Sequence, residues 1–137
     1  MLCFAWKVSS APGRAECFVM KSEVIKPFDA ILEAFMTVES QNRTDIVNSL
    51  GYAGILQIGS EMITDANRIC EKMGYPNRFT LQDRFNKDKS IEIWYLMNYY
   101  YNRSYDLKRA AHLWNPEGGE AYYQLINQTY NDIRKTN

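Results

Sequence analysis

Phe28, Ile31, Leu32, Phe35 and Met36 recur at helical spacing, and Glu39 falls on the same stripe, eleven positions after Phe28. Such a stripe faces a core. A carboxyl placed there loses hydration, which favours its neutral form and raises its pKa. A protonated carboxylic acid in a cleft is the group that glycoside cleavage needs, because the leaving oxygen must take up a proton as the bond breaks. The same position also suits a helix-terminal glutamate in open solvent, so spacing alone leaves both readings standing. A second carboxylate would add a nucleophile or a base, and Asp45, Glu61 and Asp65 are the nearest in sequence. Cys3, Cys17, Cys70 and the single His112 show no metal-ligand or CxxC spacing, so neither a metal nor another cofactor is expected. Cys70 lies in an apolar helical pattern and reads as a buried thiol, whereas a Cys3–Cys17 bridge is compatible with the sequence but not required by it. His112 reads as a structural histidine.

The elements that must position these groups are mostly helices. Residues 1–22 lack a clear period and contain Ser-Ser-Ala-Pro-Gly, which reads as an irregular arm before a single domain over 23–137. Pro27 suits the first turn of the helix that carries the Phe28 stripe. Residues 41–58 break the helical period and contain Asn42, Asn48, Gly51 and Gly54, an irregular stretch with room for one small β element near 43–58. Ser60 is placed to cap a helix that Gly74 and Tyr75-Pro76 end. Thr80 and Asp83 form a capping-box pattern ahead of a short helix. Asp88 is placed to cap a longer helix to about Tyr101, and Asp106 another to Trp114. Pro116 and Gly118-Gly119 end that one, and a last helix covers about 120–133. The expected fold is mainly α.

The 137 residues suffice for one domain with a real core. Sixteen basic and sixteen acidic residues cancel, which disfavours a nucleic-acid partner bound through phosphate neutralisation. No run is long and apolar enough to span a bilayer, and no export signal is visible at the start. Nineteen aromatic residues (ten Tyr, six Phe and three Trp) fit either a dense core or platforms for sugar rings, and the run Tyr99-Tyr100-Tyr101 reads as a helix with partly exposed rings.

Glu39-Ser40, then Gly51-Tyr-Ala-Gly54-Ile-Leu-Gln57-Ile58, then Trp114-Asn115 with Tyr122 and Tyr123 beyond, come in a particular order. This order resembles the lysozyme-like superfamily of lytic transglycosylases and goose-type lysozymes, with a Glu-Ser at a helix end, a Gly-Leu-Met-Gln-Ile segment, and a Tyr-Asn-Gly element before a helix bearing Tyr. The resemblance spans residues 28–130. Leu56-Gln-Ile, Asp65-Ala-Asn67-Arg68-Ile69, Lys89-Ser90 and Trp114-Asn115 are, more narrowly, similar to transglycosylase-like proteins of Bacteroidetes bacteria and their phages. The resemblance implies a lysozyme-like domain that cleaves the β-1,4 bond between N-acetylmuramic acid and N-acetylglucosamine in peptidoglycan. It implies Glu39 as general acid and base, attack by the substrate's own acetamido group, and 1,6-anhydro product ends. It further implies Ser40, Gly54, Gln57, Ile58, Trp114, Asn115 and Tyr122 as substrate-binding residues, glycan strands as partner, and a place in the cell envelope or with a phage. A hydrolytic lysozyme and an inactive glycan-binding module are the alternatives. Two departures stand out. Trp114 replaces the motif's Tyr, losing a phenol near the acid, and Pro116-Glu117 displaces the glycines to Gly118-Gly119.

Overall fold

A computed structural model describes residues 22–136. Five α-helices follow in order: α1 (Ser22–Ser40), α2 (Ser60–Met73), α3 (Lys87–Tyr101), α4 (Leu107–Trp114) and α5 (Gly119–Thr136), with 3-10 turns at Leu81–Phe85 and Pro116–Gly118. The fold is mainly α. Among the described residues the expected β element reduces to two isolated antiparallel bridges, Val47 with Ala53 and Ala53 with Ile58. Cys3, Cys17 and nearly all of the expected arm lie outside the described residues. Helix α1 starts at Ser22, earlier than expected, so Pro27 sits inside it and not in its first turn.

Helix α3 is the core element. Every residue from Ser90 to Asn98 except Glu92 is buried, so it carries no polar face along that stretch. Helix α1 packs chiefly on α5, α4 on α5, and α2 on α3. The α1 stripe delivers Ile31, Leu32, Ala34, Phe35 and Met36 into the core. Phe35, fully buried, meets the rings of Trp94, Trp114 and Tyr122 at tilted or edge-on angles, with centroids 5.5, 6.4 and 6.3 Å away. Such pairs contribute beyond their buried area.

The helix ends are local chemistry. Gly74 takes φ +75° and ends α2, with the Tyr75 N–H on the Cys70 carbonyl at 2.8 Å. Thr80 and Asp83 form the expected capping box, but around a 3-10 turn. Asp106 caps α4 through the Arg109 N–H at 2.8 Å. Two expected caps are elsewhere. Gly59, not Ser60, precedes α2 and caps it with no side-chain hydrogen bond, and a Cβ at Gly59 would stand 2.6 Å from the Tyr52 ring. Asn86, not Asp88, caps α3, accepting from the Lys89 N–H at 3.0 Å. Asn and Asp cap equally well, so type could not choose between them. Cys70 is a buried free thiol, and burial pushes its pKa up to about 11. No helix among the described residues is long and apolar enough to cross a membrane.

Candidate functional site

Helix α1 stops abruptly one residue after Glu39. Gln41 and Asn42 both take positive φ, +54° and +64°, and their N–H groups close back on the Thr37 and Met36 carbonyls at 2.9 and 3.1 Å. Left-handed backbone at two consecutive non-glycine residues is strained and persists only where the surroundings impose it. Ser40 is one of those constraints. Its buried hydroxyl shares its one proton between the Ile55 and Met36 carbonyls, at 2.8 and 3.1 Å, and accepts from the Arg43 N–H at 3.1 Å. It thereby clasps the end of α1 to the 53–58 loop.

Glu39 lines the wall of an open cleft of about 600 Å³, together with Gln57, Trp114 and Asn115. Tyr52, Glu61, Asp65 and Met97 complete much of the lining. The Tyr122 hydroxyl, from the first turns of α5, donates to Glu39 Oε1. Burial pushes the Glu39 carboxyl above the ordinary glutamate range, and the Tyr122 hydrogen bond, favouring the anion, opposes this without cancelling it. The carbonyl end of α1, with no basic side chain in its last turn, acts in the same direction as burial. Burial and the adjoining Glu39 carboxylate push the Tyr122 phenol far above its usual range, so it remains a proton donor.

The 53–58 loop forms the floor. Gly54 takes φ +82°, and a Cβ there would stand 1.7 Å from the Arg84 carbonyl oxygen, so only glycine fits. Arg84 holds the same loop, donating through Nη1 to the Gly51 and Ile58 carbonyls at 2.8 and 3.1 Å. Gln57, at φ +48°, donates through Nε2 to the Gly54 and Ile46 carbonyls at 2.9 and 3.3 Å. Both amide protons are thus engaged, and its amide oxygen is the acceptor offered to the cleft. The Trp114 indole N–H donates to the Leu56 carbonyl at 3.0 Å. Asn115 Oδ1 accepts from the Gly118 N–H at 3.0 Å, which leaves Nδ2 as a donor for the cleft.

The expected site residues therefore divide. Glu39, Gln57, Trp114 and Asn115 share the cleft. Ser40, Gly54 and Ile58, expected to touch substrate, are buried and shape the loop from behind it. Tyr122, expected to bind substrate, holds the Glu39 carboxyl through its hydroxyl. The displaced glycines still turn the chain, with Pro116–Gly118 a 3-10 turn capped by Asn115 and Gly119 at φ +57°. Among the carboxylates, Asp45 is exposed and off the cleft, while Glu61 and Asp65 line it. Asp65 is engaged by Arg68 at 2.6 and 2.9 Å and by the Tyr101 hydroxyl at 2.9 Å. Glu61 has no hydrogen-bond or ion-pair partner among the described residues. Sequence reasoning missed Arg84 and Met97, because a surface-type arginine and a core-type methionine carry no local mark of a cleft.

No protein-family model, curated protein or solved structure matches this chain. The cleft has to be read from its chemistry. It offers one carboxyl shifted toward its protonated form, a phenol hydrogen-bonded to that carboxyl, and neutral amide groups for polar partners. Among the described residues, no three His, Cys, Asp or Glu side chains converge as they would around a metal ion.

Proposed function

We propose that this protein is a lytic transglycosylase with a lysozyme-like fold that cleaves peptidoglycan between N-acetylmuramic acid and N-acetylglucosamine. The observation that carries the reading is the Glu39 carboxyl, burial-shifted upward, on the wall of an open cleft and held by Tyr122. The order of Glu39-Ser40, Gly54–Ile58 and Trp114-Asn115 along the chain supports it.

Glu39, protonated, gives its proton to the glycosidic oxygen as the bond to the anomeric carbon breaks. The acetamido oxygen of the same sugar attacks that carbon, so no protein nucleophile is needed. The Glu39 carboxylate, now an anion, keeps the Tyr122 hydrogen bond, which is stronger to a charged acceptor. It then takes the proton of the sugar's 6-hydroxyl as that oxygen displaces the acetamido oxygen. A 1,6-anhydro end results, and Glu39 is again protonated. The Gln57 amide oxygen and the Asn115 Nδ2 group orient the sugars through their hydroxyl and acetamido groups. The setting is the cell envelope or a phage that attacks it.

A hydrolytic lysozyme is the second reading, favoured by Glu61, an unpartnered carboxylate on the same cleft that could direct water. Mass spectrometry of the fragments released from purified cell wall distinguishes these. Anhydro ends support the transglycosylase, and reducing ends the hydrolase. Glycan binding without cleavage would leave only a binding module.

A further inference from the structure

We propose that a second pocket, set behind the Asp65 wall of the cleft, binds the carboxylates of an acidic peptide carried by the glycan strand. The inference rests on the cleft's taking such a strand. The pocket holds about 320 Å³ where α3 turns into α4, and Tyr100, Tyr101, Arg103 and Arg109 are among its walls. Asp65 lines the cleft, and its Oδ2 accepts from the hydroxyl of Tyr101, which lines the pocket, at 2.9 Å. Arg68 ties the pair together, donating to Asp65 Oδ1 at 2.6 Å and to the Tyr101 oxygen at 2.7 Å. One hydrogen-bonded carboxylate and phenol thus join the wall of the cleft to the wall of the pocket.

The chain is neutral overall, but its charge is not evenly spread. Arg68 and Lys72 stand 6.0 and 5.7 Å from the Tyr100 ring centre, and Arg103 stands 5.0 Å from that of Tyr99. Arg109 donates through Nε to the Tyr101 carbonyl at 2.9 Å, which fixes its guanidinium at the rim. Of these four cations only Arg68 has a carboxylate within salt-bridge distance among the described residues. Lys72, by hydrogen bonding, and Arg68 hold the half-buried Tyr100 phenol below its usual range, which agrees with a positive local potential. The turn beneath is rigid. Buried Asn102 donates to Asn98 Oδ1 and to the Asp106 carbonyl, both at 3.0 Å, and accepts from the Asp106 N–H at 3.1 Å. Guanidinium groups held in this way match carboxylates, and flanking phenol faces cover the aliphatic parts of a short peptide.

The test is titration of the intact protein with an acidic tetrapeptide bearing free carboxylates, and with the same peptide amidated, followed by the NMR signals of the Arg103 and Arg109 Nε–H groups. Saturable shifts with the acidic peptide, weakened by salt and absent with the amidated one, are expected. The double variant K72E/R103E, at exposed positions away from the core, should weaken binding about tenfold or more. It should slow cleavage of peptide-bearing glycan by a similar factor and leave peptide-free glycan unaffected. No saturable shift, or equal shifts with both peptides, overturns the proposal. Inorganic phosphate displacing the peptide at equal concentration also overturns it, marking a general anion site. If the parent cleaves neither glycan, the glycosidase reading falls, while the peptide titration still decides this pocket.

Discussion

The Tyr122 hydroxyl donates to the Glu39 carboxylate across 83 positions of sequence, joining the end of α1 to the start of α5. Two opposing influences meet on one carboxyl. Burial favours its neutral form, and the phenol favours its anion.

Tyr122→Phe should therefore move the Glu39 pKa further upward, since only the lowering influence is removed. NMR titration of the Glu39 side chain in both proteins checks this. The alkaline limb of wall cleavage should follow to higher pH. The rate at the optimum should fall roughly ten- to a hundredfold, because the anion formed on proton donation loses a hydrogen bond to a charged acceptor worth about 1.5–3 kcal/mol. An unchanged Glu39 pKa would remove Tyr122 from this role.

Glu39→Gln keeps the shape and the capacity to accept from Tyr122 but cannot transfer a proton. Wall cleavage should fall by about 10²–10⁴-fold or more, measured by fragment release. Stability should move the other way. Because the folded pKa of Glu39 lies above its unfolded value of about 4.3, the fold binds more protons than the unfolded chain between the two values. That contribution is complete below the unfolded value and is lost as pH rises through the folded one. The variant, which has no such loss, should melt higher than the parent at neutral pH, and the difference should shrink below about pH 4. Melting curves across pH decide it.

Gly54 and Gly51 both have positive φ, +82° and +85°, but a Cβ at Gly54 would overlap the Arg84 backbone and one at Gly51 meets open space. Gly51→Ala should cost only about 1–2 kcal/mol of left-handed strain. Gly54→Ala adds a backbone collision and should cost well over about 2 kcal/mol, displacing the loop and abolishing cleavage. Denaturant unfolding of the two variants separates strain from collision.

Trp114→Phe removes the N–H that satisfies the buried Leu56 carbonyl at 3.0 Å. An unmet buried acceptor costs about 1–3 kcal/mol. Hydrogen exchange in residues 54–58 should accelerate, with a fall in cleavage as Gln57 loses its fixed place. Unchanged exchange there would make Trp114 a core residue without influence on the loop.

Local sequence determined the elements and the phase of the acid. The apolar stripe from Phe28 to Met36 set α1 and put Glu39 on its inner face, because helical periodicity is a property of the chain itself. Gly74, Thr80 with Asp83, and Asp106 marked their boundaries for the same reason, since each satisfies backbone groups within a few residues. The small glycines and Gln57 located the loop opposite. Which side chains touch the acid was decided only by the tertiary structure. Tyr122 reaches Glu39 because α5 packs on α1, and no short-range pattern encodes that crossing. Ser40 faces inward and Trp114 turns its indole to Leu56, where each donates to a buried loop carbonyl, while Ile58 faces inward as an apolar core residue. Asp65, a candidate nucleophile by sequence distance, is tied up on both oxygens because α2 and α3 bring Arg68 and Tyr101 to it together. Burial, which raises the Glu39 pKa, is likewise a sum over helices distant in sequence, and it exists only once they have packed.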